Sequence, residues 1–115
     1  MIPKRVRAIV EARSGGVCEG CRAAPASEMH HRKFRSRGGR DEVVNILHLC
    51  GWGNHSGCHG VAHSGARGAD LGWALPSGSN PERQPANAAF YDLTGHAWWL
   101  LPDGGVEEAF TDPGF

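Results

Sequence analysis

The cysteines constrain this chain more than any other feature. Cys18 and Cys21 form a C-x-x-C, and Cys50 and Cys58 follow further on. A chain of 115 residues with 40% hydrophobic content and 17 glycines is one domain with a modest core and many loops. Such a chain gains from a staple. Four thiolates at about 2.3 Å from one tetrahedral zinc supply one. Two disulfides would suit a small secreted protein, but Met1-Ile2-Pro3-Lys4-Arg5 lacks the apolar stretch of a signal peptide. A redox C-x-x-C wants a strand-then-helix setting. Here the pair lies in the glycine-rich run Gly15-Gly16-Val17-Cys18-Glu19-Gly20-Cys21. A structural zinc on Cys18, Cys21, Cys50 and Cys58 is therefore expected. The second pair is spaced C-x7-C, wider than a usual knuckle, which leaves room for His55 to replace one cysteine. No apolar run approaches the roughly 20 residues of a membrane span, so a soluble, intracellular protein is expected.

The formal charge of zero hides an asymmetry. Residues 1–40 hold ten Lys/Arg and three acids, a net +7; residues 41–115 hold two Arg and nine acids, a net −7. A basic half beside an acidic half suggests a surface that faces a polyanion. A solvated helix face and a solvated tail would give the same numbers. Ten of the twelve cations are Arg, a bias that suits phosphate forks and that a GC-rich genome would also produce.

Histidine placement says more. His30 and His31 are adjacent, and His59 and His63 stand four apart, on one face of a helix. Two imidazoles at that spacing can grip one metal ion. H-x-x-x-H alone is a weak signal. It gains weight from His30-His31, from Asn45 between the two segments, and from Cys58 directly before His59.

The ordered series Cys18-x-x-Cys21, Met29-His30-His31-Arg32, Ser36-Arg37-Gly38-Gly39, Asn45-Ile46-Leu47-His48-Leu49-Cys50 and Gly57-Cys58-His59-x-x-x-His63 resembles the HNH endonucleases, which have a ββα-metal fold. The match covers about residues 18–63 and looks most like small stand-alone members from phages and actinobacteria. The resemblance implies a cytoplasmic, metal-dependent DNA endonuclease. His31 aligns with the general base, and His30, His59 and His63 with ligands of a catalytic divalent metal. Asn45 aligns with the central Asn, whose amide bonds main-chain groups across a loop. Arg32, Lys33, Arg35, Arg37 and Arg40 are then read as phosphate clamps, with Arg37 foremost and Arg40 open to neutralisation by Asp41 and Glu42. Three imidazoles suit Zn2+, Ni2+, Co2+ or Mn2+ better than Mg2+, and the identity stays open. Small phage proteins of this type also imply terminase and portal partners in genome packaging. Successive strand residues point to opposite faces, so His30 and His31 can share a site only where the strand bends or ends.

The expected architecture is a single α+β domain over residues 1–115, with its motif core at 18–67. A helix spans Pro3 to Arg13, with a cationic face of Arg5, Arg7 and Arg13 that either touches DNA or is solvated. Strands run Glu28–Lys33 and Ile46–Leu49 around a charged loop, followed by a helix Gly57–Ala66. A strand extension at 71–110 comprises a short strand Leu71–Leu75, a loop Pro76–Pro85 and a hairpin over Ala89–Leu101. Trp73, Trp98 and Trp99 are read as part of a core sheet rather than a base-stacking ladder, because that segment is acidic. His48 is read as a sheet residue and His96 as a turn residue. The competing functions are a non-catalytic zinc module that binds nucleic acid or protein, and a thiol redox protein.

Overall fold

A computed structural model describes residues 1–53 and 55–109; the last residue assigned to the strand extension, 110, lies outside them. Helix α1 spans Lys4–Ser14. Pro3 enters it without needing an N–H of its own, and Gly15 ends it at φ 64°, its N–H returning to Glu11 O. Val6 and Val10 lie one turn apart on the buried face and pack with Ile2, Val43 and Ile46. The expected cationic face is broken at Arg13, whose side chain is only 3% exposed. It grips Glu19 through Nε at 2.7 Å and Nη2 at 2.8 Å, and donates Nη1 to Val43 O. Glu19 in turn accepts the His48 N–H, so this ion pair locks α1 to the strand beyond.

That strand is β2, Ile46–Leu49, the partner of β1, Glu28–His31. They pair antiparallel, with Glu28 opposite Leu49 and His31 opposite Ile46. β1 ends two residues earlier than expected, at His31. The chain then turns through short 3-10 segments at Arg35–Arg37 and Val43–Asn45. Asn45 closes this loop from within. Its Oδ1 accepts the Lys33 N–H at 2.7 Å, and its Nδ2 donates to Lys33 O and Arg40 O. Every polar atom of the buried amide is thereby satisfied.

After β2 come α2, Gly57–Ala62, and α3, Ala66–Asp70. One helix to Ala66 was expected. Gly65, at φ 71° and ψ −119°, takes the chain out of helical geometry and restarts it. Leu71–Leu75 is not a strand. It is a turn whose Trp73 and Ala74 N–H groups both bond Gly68 O, with a single parallel bridge between Lys33 and Leu75. The predicted hairpin is present as β3, Phe90–Tyr91, and β4, Ala97–Leu100. A third strand, β5, Val106–Glu108, adds to β4 and makes a three-stranded antiparallel sheet. Its exposed Val-Glu-Glu carries no alternation from which a strand could be read.

The main core joins Cys18, Leu47, Leu49, Cys58, Ala62, Trp73, Phe90 and Leu100. Trp73 is fully buried, and its indole N–H donates to Tyr91 O at 2.7 Å. Trp98 packs against the same core and donates to Asp92, while Trp99 is 39% exposed. Two of the three tryptophans are thus framework. The result is an α+β fold in which the hairpin, α2 and the cysteine-bearing loops meet. No helix among the described residues is long and apolar enough to cross a membrane.

Candidate metal centres

The sulfurs of Cys18, Cys21, Cys50 and Cys58 all lie within 4.8 Å of one another. Cys21 and Cys50 are 4.0 Å apart, sulfur to sulfur. That is far from a disulfide bond of about 2.05 Å and near the roughly 3.75 Å edge of a tetrahedron built on 2.3 Å zinc–sulfur bonds. Backbone N–H groups point at the sulfurs: those of Gly20 and Cys21 at Cys18, of Ala24 at Cys21, and of Cys58 at Cys50. Donors aimed at sulfur favour thiolates, the form a metal needs. Arg22, at φ 62°, makes the tight return and bonds Cys18 O. The Cys18 thiol is held down to about 4, chiefly by the hydrogen bond from Cys58, while that bond and burial push Cys58 up. The cluster can hold one metal ion, and its donors and spacing fit zinc. His55 is exposed and stands outside the cluster. Four sulfurs suffice for a tetrahedral site without it.

A second cluster joins β1 to α2. The ligand nitrogens of His30, His59 and His63 also lie within 4.8 Å of one another, with ring centroids 5.0–5.2 Å apart. His30 is 2% exposed, and burial pushes its pKa down to about 3. His63, just past the end of α2, is lowered too, first by burial and then by His59. Such groups are neutral at physiological pH and free to bind metal. Hydrogen bonds select which nitrogen is available. His30 Nε2 lies 2.6 Å from Trp73 O and must carry the proton there, which leaves Nδ1 for a metal. His59 Nδ1 faces Glu28 Oε1 at 3.3 Å, which leaves Nε2. Carbonyl and carboxylate partners of this kind orient metal-binding imidazoles. Glu28 also accepts the Gly53 N–H, and Phe34 stacks on His63 at 4.7 Å.

His31 opens onto the same pocket as these three rings, with Met29, Phe34 and Arg35 completing the walls. The strand ends at His31, so its ring escapes the alternation that would send it to the far face of the sheet. Its Nε2 lies 2.7 Å from Asp41 Oδ1. Donation to that carboxylate leaves Nδ1 with a lone pair. The His31 hydrogen bond holds Asp41 below the usual carboxylate range, and Arg35, whose Nη2 is 2.9 Å from Oδ1, adds to this. Asp41, Glu28 and the Trp73 carbonyl were not foreseen. Of these, Asp41 alone leaves a trace in the sequence, ten residues from His31 in the charged loop, where it reads as a neutralising neighbour of Arg40.

The five expected phosphate clamps separate into distinct roles. Arg32 is overturned as one: it is fully buried. All five of its N–H groups are spent on backbone carbonyls, those of Gly72, Val44, Pro85, Ala88 and Ala89. Burial lowers its pKa to about 9, so it is still cationic at neutral pH. Lys33 is largely committed within the fold. It is 8% exposed, and its Nζ is bound 3.0 Å from both Gly78 O and Gln84 Oε1. Arg35 is exposed but engaged with Asp41. Arg37 and Arg40 are exposed and make no ion pair among the described residues. His48, on β2, meets Ser14 Oγ at 2.7 Å, and His96 pairs with Glu108 at the sheet edge.

Comparison with protein-family models, with curated proteins and with solved structures gave no match.

Proposed function

We propose that this chain is a metal-dependent endonuclease of the HNH type, hydrolysing DNA phosphodiester bonds. The observation that carries the reading is the convergence of His30, His59 and His63 from two separate segments, with His31 opening onto the same pocket. A β-hairpin followed by a short helix, with ligands from both, is the layout of a ββα-metal core. The thiolate cluster at its base serves as the structural zinc site.

Hydrolysis of a phosphodiester needs a water to lose a proton, and it needs charge on the phosphoryl and leaving oxygens to be offset. His30, His59 and His63 would hold a divalent ion, which when bound would supply the second. His31 supplies the first: Nδ1 accepts the proton of a water in the pocket, and Asp41 on Nε2 fixes the tautomer and steadies the charged ring. Asn45 holds the loop that carries Asp41 against the end of β1. Arg35 keeps Asp41 anionic and directed at His31. Three imidazole donors favour Zn2+, Ni2+, Co2+ or Mn2+ over Mg2+.

The test is nicking of supercoiled plasmid DNA across a panel of these metals, beside His31→Ala. Wild type nicks with at least one ion, and the variant falls by roughly 10²–10⁴. Equal nicking by both proteins overturns the reading and leaves a zinc-stapled binding module. Terminase or portal partners are the corresponding proposal for a phage-encoded protein, checked by co-purification from infected cells.

A further inference from the structure

The wall of the imidazole pocket has two sides. Phe34 and His63 face His30 and His59 on one side; on the other they border a groove of about 370 Å³. Its floor consists of small side chains, Ala62, Ala66, Ala69 and Ala74, and no carboxylate lines it. Arg37 stands at its rim. The guanidinium is fixed by two contacts: Nη1 donates to Leu75 O at 3.0 Å, and the group lies 4.4 Å over the Phe34 ring. Its Nε and Nη2 donors make no protein hydrogen bond among the described residues. Of the loop cations, Arg37 is thus the one that is both held in place and chemically uncommitted beside the metal centre.

We infer that this groove seats the backbone unit adjoining the scissile phosphodiester, its deoxyribose on the alanine floor and its outer phosphate on Arg37. The inference rests on the endonuclease reading and extends it to a subsite. A groove floored by alanines, with one oriented cation and no acid, matches the chemistry of a sugar–phosphate unit: a largely apolar ring attached to an anion. A purely apolar ligand would make no use of the fixed guanidinium. A phosphate alone would make no use of the floor. The shared wall of Phe34 and His63 makes the groove the immediate neighbour of the imidazole pocket, so that one strand can run from one to the other.

Ala66 and Ala69 are exposed, so larger side chains there fill the groove without entering the core. Ala66→Leu and Ala69→Leu are compared with wild type in three measurements. These are cleavage of a short duplex oligonucleotide, hydrolysis of the small diester bis(p-nitrophenyl) phosphate, and anisotropy of a labelled oligonucleotide bound in the His31→Ala background. The groove reading requires oligonucleotide kcat/KM and binding to fall about tenfold while small-diester hydrolysis holds. Arg37→Gln weakens oligonucleotide binding with a shallower salt dependence. Leucine variants that bind and cut the oligonucleotide like wild type overturn the inference. Absence of hydrolysis of either substrate by wild type removes the endonuclease reading instead, and the binding measurement then still decides the groove.

Discussion

Individual side chains in this protein are defined by their partners more than by their own chemistry. His30 illustrates this. Unfolded, it is an ordinary imidazole near 6.5; folded, burial first and then its histidine neighbours hold it near 3. Below pH 6.5 the unfolded chain takes up a proton that the fold refuses. Stability contributed by this position is therefore whole above 6.5 and is lost as pH falls toward 3, at about 1.4 kcal/mol per pH unit. His63, also lowered, adds in the same direction. Asp92 acts lower down. Burial alone would raise it, but donors from Thr94, Trp98 and His96 outweigh that and bring it to about 2, so its contribution fades only between 3.8 and 2. Urea midpoints measured from pH 7 to pH 4 without added divalent ions should decline in wild type and decline less steeply in His30→Gln. Equal slopes would place the acid sensitivity elsewhere.

At the scale of elements, Arg32 is the brace. It follows β1 directly and reaches the turn after α3, the 3-10 segment before β2 and the approach to β3 through five carbonyls. Lysine in its place offers three donors on a flexible stem where five in a fixed fork are needed. Arg32→Lys should cost about 3 kcal/mol, since several buried carbonyls lose their donors, and thermal unfolding will show it. A change under about 0.5 kcal/mol would mean that water replaces the missing bonds. Arg32 also marks where the sequence was hard to read. In a run of cations it looks like a surface residue, because its acceptors are backbone groups up to 57 residues away and carry no signature of their own. The strand pair 28–31 and 46–49 was legible, because apolar residues flank an obvious polar loop. So was the grouping of the four cysteines and of His30, His59 and His63, because metal chemistry restricts residue types and helix geometry restricts spacing. Glu28 and Asp41, which orient His59 and His31, were not, since a carboxylate that serves an imidazole across a turn looks like any other surface acid.

For the whole molecule, the cysteine cluster adds to a small core. Cys18 and Cys58 belong to the main cluster of buried residues, so the ligands also serve as packing. Removing one of these cysteines opens both the candidate zinc site and the apolar contacts around it. Cys18→Ser is expected to abolish cooperative unfolding, as is prolonged chelation of wild type, whereas His31→Ala keeps the wild-type melting temperature within a few degrees. A serine variant that melts like wild type would show that the staple is dispensable.

Trp73 stands between the two centres. Its carbonyl holds His30, and its ring lies so close to Gly20 that a Cβ there would come within 2.7 Å of it and 3.1 Å of the Cys58 sulfur. Trp73 thus touches the imidazole cluster through its carbonyl and packs in one core with Cys18 and Cys58 through its ring. If the cysteine cluster holds zinc and the imidazole cluster is the proposed nuclease centre, oxidation of the thiols is expected to reach the imidazoles through Trp73, which belongs to neither cluster.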